Sequence, residues 1–205
     1  MNGRLLDHWA RVTVAAAIGL TAMASSEAAA YCITTKNNPW SSPGSAKNIV
    51  FNTLVPSSMR TVIEVAIKSW NMSGSALVYG TPTYAANFAS QPFFGQYMSF
   101  TSVGLPDTLP AVSSKMDVTP THPNGQLGLN SSFTWTNDTQ NIPWKIADAA
   151  TVVIHEIGHF NGMSHPENCS DGITANEAAS VMTVVNSTLR RYLNVDDTTY
   201  QKWRY

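Results

Sequence analysis

Charge is scarce in this chain. Its 205 residues carry 12 Lys and Arg against 13 Asp and Glu, 12% charged in all, for a formal net charge of −1. No basic run occurs, so nothing offers a counter-surface to a nucleic acid or an anionic membrane. Asn, Ser and Thr take over the solvation. Long apolar runs are missing too. The one extended apolar stretch without charge, Val12 to Ala24, is shorter than the roughly twenty residues that a membrane-spanning helix needs. Cysteine is nearly absent, with only Cys32 and Cys169. Histidine is rare as well, yet three of the five histidines fall within one short stretch.

The start of the chain reads as an export signal. Arg4 and Arg11 make it basic, the apolar run follows, and Ala28-Ala29-Ala30 is a small-residue cleavage site. Residues 1–30 are therefore expected to be a signal peptide, with the mature chain starting near Tyr31. Residues 31–205 are then enough for one domain with a sizeable core. An uncleaved anchor is the alternative. In an exported protein an even pair of cysteines is read first as a disulfide, here Cys32 to Cys169. Asn71, Asn130, Asn137, Asn168 and Asn186 begin N-x-S/T triplets, which matter only in a host that glycosylates.

The histidine-rich stretch is His155-Glu156-Ile157-Gly158-His159-Phe160-Asn161-Gly162-Met163-Ser164-His165. Residues four apart on a helix share a face, so His155 and His159 can point two imidazoles at one ion. Gly162 is where that helix should stop, because a residue without Cβ enters the left-handed region cheaply. The returning chain brings His165 to the same ion. Three neutral imidazoles leave a fourth tetrahedral position open, the pattern of a catalytic zinc rather than a structural one. Glu156 stands about 100° round the helix from His155, where it can face a water without ligating the metal. One zinc, one nucleophile and one general base are thus implied.

The pattern H-E-x-x-H-x-x-G-x-x-H resembles that of the metzincins, secreted zinc endopeptidases. The resemblance implies a methionine turn beneath the metal, and Ala179-Ser180-Val181-Met182 fits it. Val184 stands where astacin-like and serralysin-like members carry a tyrosine, which points to the matrixin branch. Thr183 follows Met182 where matrixins often have Tyr-Pro, a departure from the commonest turn. The implied fold is an α/β (α+β) zincin catalytic domain: a twisted mixed sheet over two helices, then a C-terminal helix. The implied activity is hydrolysis of protein or peptide substrates by a zinc-activated water with Glu156 as base, acting as a monomer outside the cell. The alternative, from a different class, is a secreted binding or structural protein that keeps zinc for stability.

Taken in order, Asn48–Asn52 reads as a strand. Pro56-Ser57-Ser58 opens a helix whose Val62, Ile63, Ala66, Ile67 and Trp70 form one apolar stripe. Ala76–Tyr79 is the next expected strand. Tyr97–Thr101 suggests another. Leu109–Ser114 is expected at a sheet edge, since Pro110 cannot donate to a ladder. The family binds extended substrate along such an edge; a plain surface loop is the other reading. Pro123-Asn124-Gly125 reads as a turn before a strand at Gln126–Asn130, with Trp135-Thr136 following. The metal-binding helix is expected from about residues 144–148 to Asn161, packed under the sheet by Ala149, Val152, Val153 and Ile157. Pro166 to Glu177 reads as a loop. A last helix is expected from Asn194, whose Asp196 and Asp197 suit its first turn. In matrixins the paired aspartates can anchor a processed N-terminus; simple capping is the other reading.

Two family features are not evident. Outside the motif and the leader only His122 remains, too little for a second, structural zinc. Calcium stays possible but is not evident, because the acidic residues of 107–148 are scattered. The family's latency device, a propeptide thiolate on the zinc, makes Cys32 the rival candidate to a disulfide.

Overall fold

The computed structural model describes residues 48–85, 95–101, 108–117, 123–137, 145–169, 172–184 and 189–205. The leader at 1–30, Cys32 and His122 lie outside the described residues. Among the described residues, no helix is long and apolar enough to cross a membrane.

The architecture is mixed α and β. Five strands form one sheet in the order β2-β1-β3-β5-β4, made of β1 (Asn48–Asn52), β2 (Thr83–Ala85), β3 (Gly95–Thr101), β4 (Ala111–Asp117) and β5 (Pro123–Asn130). β1, β2, β3 and β5 run parallel, and β4 runs antiparallel to β5 with Ala111 opposite Leu129 and Asp117 opposite Pro123. A second, two-stranded sheet pairs β6 (Thr134–Thr136) with β7 (Ile146–Asp148) in parallel. The helices are α1 (Ser57–Asn71), α2 (Ala149–Phe160), the single turn α3 (Ala175–Ala178) and α4 (Val195–Arg204).

The stripe on α1 is buried at Ile63, Ala66, Ile67 and Trp70, joined by Met59, while Val62 is only half-buried. They meet Val153, Ile154 and Ile157 of α2 and the sheet residues Ile49, Phe51, Leu127 and Leu129 in one core. Trp70 fixes the crossing of the two helices. It is fully buried, and its indole N–H donates to the Ile154 carbonyl at 2.9 Å. A buried indole needs such a partner, so the bond also sets the depth of α2.

Three expectations need correction. Ala76–Tyr79 is not a strand; the partner of β1 on that side is β2, at Thr83–Ala85. Side chains have captured the backbone of the earlier segment. Asn71 accepts from Tyr79 N at 2.7 Å and donates to Tyr79 O at 2.8 Å, which leaves Tyr79 as an isolated bridge residue rather than part of a strand. Pro123-Asn124-Gly125 is not a turn but the start of β5, where proline is tolerated as the first strand residue. Pro166 to Glu177 is not all loop: Pro166–Asn168 forms a 3-10 turn, and α3 is closed by a capping box between Thr174 and Glu177. The edge expected at Leu109–Ser114 is present as β4, which ends the sheet and lies against α2.

The start of α2 rests on Asp148. Its carboxylate accepts from Thr151 N at 2.8 Å as an N-cap and also takes a forked contact from Arg191, whose Nε lies 3.1 Å from both carboxylate oxygens. The next-door Arg190 donates to the Ala178 and Ser180 carbonyls at 2.6 and 2.9 Å, while its own N–H bonds Thr151 Oγ1 at 3.0 Å. The tandem arginines thus strap the N-terminus of α2 to the turn before Met182. Asp148 is 1% exposed in its side chain. Arg191→Ala would leave that carboxylate buried without its cation, a loss of roughly 3–5 kcal/mol. Urea denaturation should show it as a large fall in midpoint with little change in slope.

Candidate metal centre

α2 carries His155 and His159 one turn apart, as the spacing requires. The helix ends where expected. Gly162 has φ 86°, its N–H bonds the His159 carbonyl at 3.0 Å, and the Met163 N–H bonds the Gly158 carbonyl at 3.0 Å. This reciprocal pair is a Schellman closure, and its left-handed residue suits glycine. Three tyrosines hold the closure from outside. Tyr200 donates to the Gly162 carbonyl at 2.9 Å, Tyr205 to the Asn161 carbonyl at 3.1 Å, and Tyr79 to the Asn161 carboxamide oxygen. Burial pushes the Tyr200 phenol above its ordinary range, so it stays a donor. From this fixed corner the chain returns to His165, held extended by the following Pro166.

The three imidazoles meet. His155 Nε2 lies 3.1 Å from His165 Nε2, and His159 Nε2 lies 3.0 Å from it. Among the described residues these three are the only His, Cys, Asp and Glu group able to hold a metal ion. The second ring nitrogens decide what the meeting means. His155 Nδ1 is 2.7 Å from the Val181 carbonyl, and His159 Nδ1 is 2.8 Å from the Met163 carbonyl. A carbonyl can only accept, so each Nδ1 carries the proton and each Nε2 presents a lone pair. Converging lone pairs repel unless a cation lies among them. Nitrogens about 2.05 Å from one tetrahedral zinc would stand roughly 3.3 Å apart, close to the two distances seen from His165 Nε2. The residues present therefore fit a zinc ion.

Electrostatics agree. Burial lowers all three histidine pKa values, that of His155 to about 4, so neutral ligands are the default at neutral pH. Glu156 is buried on the same helix, and its charge is felt at His159. Met182 is fully buried beneath α2, and a Cβ built on Gly158 would overlap its sulfur and come within 3.3 Å of Trp70. Only glycine at 158 lets the methionine reach the underside of the helix. Cys169 directly follows the 3-10 turn after His165.

Of the expected site, His155, His159 and His165 meet at one point, with Glu156 on the same helix and Met182 beneath it, while Cys169 follows the 3-10 turn after His165. Sequence reading missed the groups that hold them, namely Arg190, Arg191, Ser180 and the three tyrosines. An adjacent arginine pair in so weakly charged a chain was the one available signal. The tyrosines gave none, because their partners lie far away in sequence.

A sign follows for pH. With native pKa values below the ordinary 6.5, the unfolded chain binds more protons than the native one as the pH falls below 6.5. Metal-free protein should lose stability from about pH 6.5 down to about 4, on the order of 2 kcal/mol between pH 7 and 5 from His155 alone. Denaturation midpoints at the two pH values in a chelator measure it. Gly158→Ala should cost about 1–3 kcal/mol by overpacking against Met182.

Comparison with known proteins gives little further. No family model matches the chain. No curated protein matches it either. The solved structures that it resembles include the structure of myroilysin, at 14% identity over 80% of this chain and 94% of that one, with a TM-score of 0.45. A likeness this distant leaves the function to be argued from the site itself.

Proposed function

We propose that this chain is a secreted zinc-dependent endopeptidase of the matrixin type, with residues 1–30 as export signal and 31–205 as the catalytic domain. The observation that carries the reading is the convergence of the His155 and His159 Nε2 lone pairs on His165 Nε2, with both helical Nδ1 positions held by backbone carbonyls. His155, His159 and His165 would hold one zinc ion. When bound, zinc acts as a Lewis acid on the scissile carbonyl and lowers the pKa of water to about 7. Glu156 takes the proton from the attacking water and returns it to the leaving amine. Its burial beside the ligands, 7% exposed, supports that role, since a carboxylate there has little bulk water to compete with it. Met182 gives the ligand helix an apolar floor. β4, the last strand of its sheet among the described residues and lying against α2, supports docking of an extended peptide as an added strand. Cys32 and Cys169 are proposed to pair, tying the N-terminal segment to the loop after His165.

Glu156→Gln should cut hydrolysis of a denatured protein by about 10²–10⁴-fold while zinc stays bound. Near-normal turnover in that variant would remove Glu156 from the mechanism. His165→Ala should instead lower zinc content well below one ion per chain, and chelation of the unaltered protein should abolish hydrolysis. A zinc-loaded protein that cleaves no peptide bond would favour the non-catalytic, zinc-stabilised reading. Mass spectrometry after alkylation under denaturing, non-reducing conditions should find neither cysteine labelled. Two labelled cysteines, with activity appearing only after thiol modification, would favour Cys32 as a zinc-capping switch.

A further inference from the structure

Asp197 lies in the first turn of α4 and is fully buried. Part of its role is local, because it closes a capping box with Asn194 through bonds of 2.8 and 2.9 Å. The rest reaches outside its helix. Its Oδ2 accepts from Val181 N at 3.2 Å, and its Oδ1 accepts from the Ser180 hydroxyl at 2.6 Å. The Ser180 oxygen in turn accepts from Met182 N at 2.9 Å. Met182 N–H and the Val181 carbonyl are two ends of one peptide group, and that carbonyl accepts from His155 Nδ1 at 2.7 Å.

The bonds are head to tail. His155 donates to the peptide, the peptide donates to the serine, and the serine donates to the carboxylate. Each group polarises the next in the same sense, so a negative charge at the far end strengthens every link. At the near end, a stronger bond at Nδ1–H raises the donor strength of Nε2, the nitrogen that faces the metal site. His159 Nδ1 bonds a different carbonyl, that of Met163, which lies outside this relay. Arg190 steadies the same turn by donating to the Ser180 carbonyl at 2.9 Å.

We propose that Asp197, acting through Ser180 and the Val181–Met182 peptide, is a positioning residue that fixes His155 and makes it a stronger metal ligand than its helical neighbour His159. The purpose of the relay rests on the zinc reading above; its existence does not.

The test uses the full mature chain, labelled with ¹⁵N, with zinc and without it. In the unaltered protein the His155 Nδ1 proton should resonate downfield of the His159 Nδ1 proton. Ser180→Ala removes the middle link while leaving Val181 N and Asn194 N on Asp197. It should move the His155 proton upfield, leave the His159 proton in place, and weaken zinc binding about tenfold in competition with a chelator. Thr183→Val is the control: it deletes a 2.6 Å bond from Thr183 Oγ1 to the Glu177 carbonyl in the same turn but outside the relay. It should leave both protons where they were. The relay is overturned if Ser180→Ala leaves the His155 proton unmoved, if the two protons shift together, or if Thr183→Val has the same effect. Should Ser180→Ala fail to fold, the order of the two protons in the unaltered protein decides, and His155 upfield of His159 overturns the relay. An unaltered protein that takes up no zinc sinks the zinc reading, while the metal-free spectra still decide the relay by the same comparison.

Discussion

Three imidazole Nε2 atoms crowd one point, two of them with lone pairs that repel, and the rest of this structure is arranged to hold them there. The repulsion is tolerable only if each ring is locked from behind. For the two helical histidines the lock is a backbone carbonyl on Nδ1, supplied by Val181 and Met163. Neither carbonyl belongs to the sheet. Both lie in irregular segments, so the segments themselves must be rigid.

That rigidity comes from buried hydrogen bonds more than from apolar contact. The corner at Asn161 and Gly162 is held by three tyrosine hydroxyls drawn from separate parts of the chain. The turn at Ser180 to Met182 is held by Asp197 from one side and Arg190 from the other. A buried polar group left unpaired is costly, so each of these bonds penalises any displacement of the segment that it holds. A chain with so few charges has put four of them, Asp148, Arg190, Arg191 and Asp197, to work around α2 and its supporting turn.

The apolar core has a different task. It sets where α2 lies relative to α1 and the sheet, chiefly through Trp70, whose indole both fills space and bonds Ile154. Gly158 then admits Met182 close beneath the helix, on the side away from solvent. The two helical histidines are therefore fixed from below by packing and from behind by hydrogen bonds, with the Nε2 side left for chemistry.

Much of the site could be read from residue order alone, because its key interactions are local. The i, i+4 pair His155 and His159, the glycine stop at 162, the Asn194 cap and the apolar stripe on α1 all follow from helix geometry within a few residues. An edge strand was expected around Pro110, and the structure places β4 at the edge with Pro110 just before it. What sequence order could not determine depended on partners far away in the chain. Ala76–Tyr79 has strand-like composition, but Asn71 and Ser75 took its backbone groups first, so the sheet gained Thr83–Ala85 instead. Pro123 to Gly125 has turn-like composition, but pairing with β4 drew it into β5. The carbonyls behind the histidines, the tyrosines at the corner and the relay from Asp197 were decided by tertiary structure alone. A hydrogen bond between residues tens of positions apart leaves no periodicity in the sequence, and it exists only once packing has brought its two ends within three ångströms.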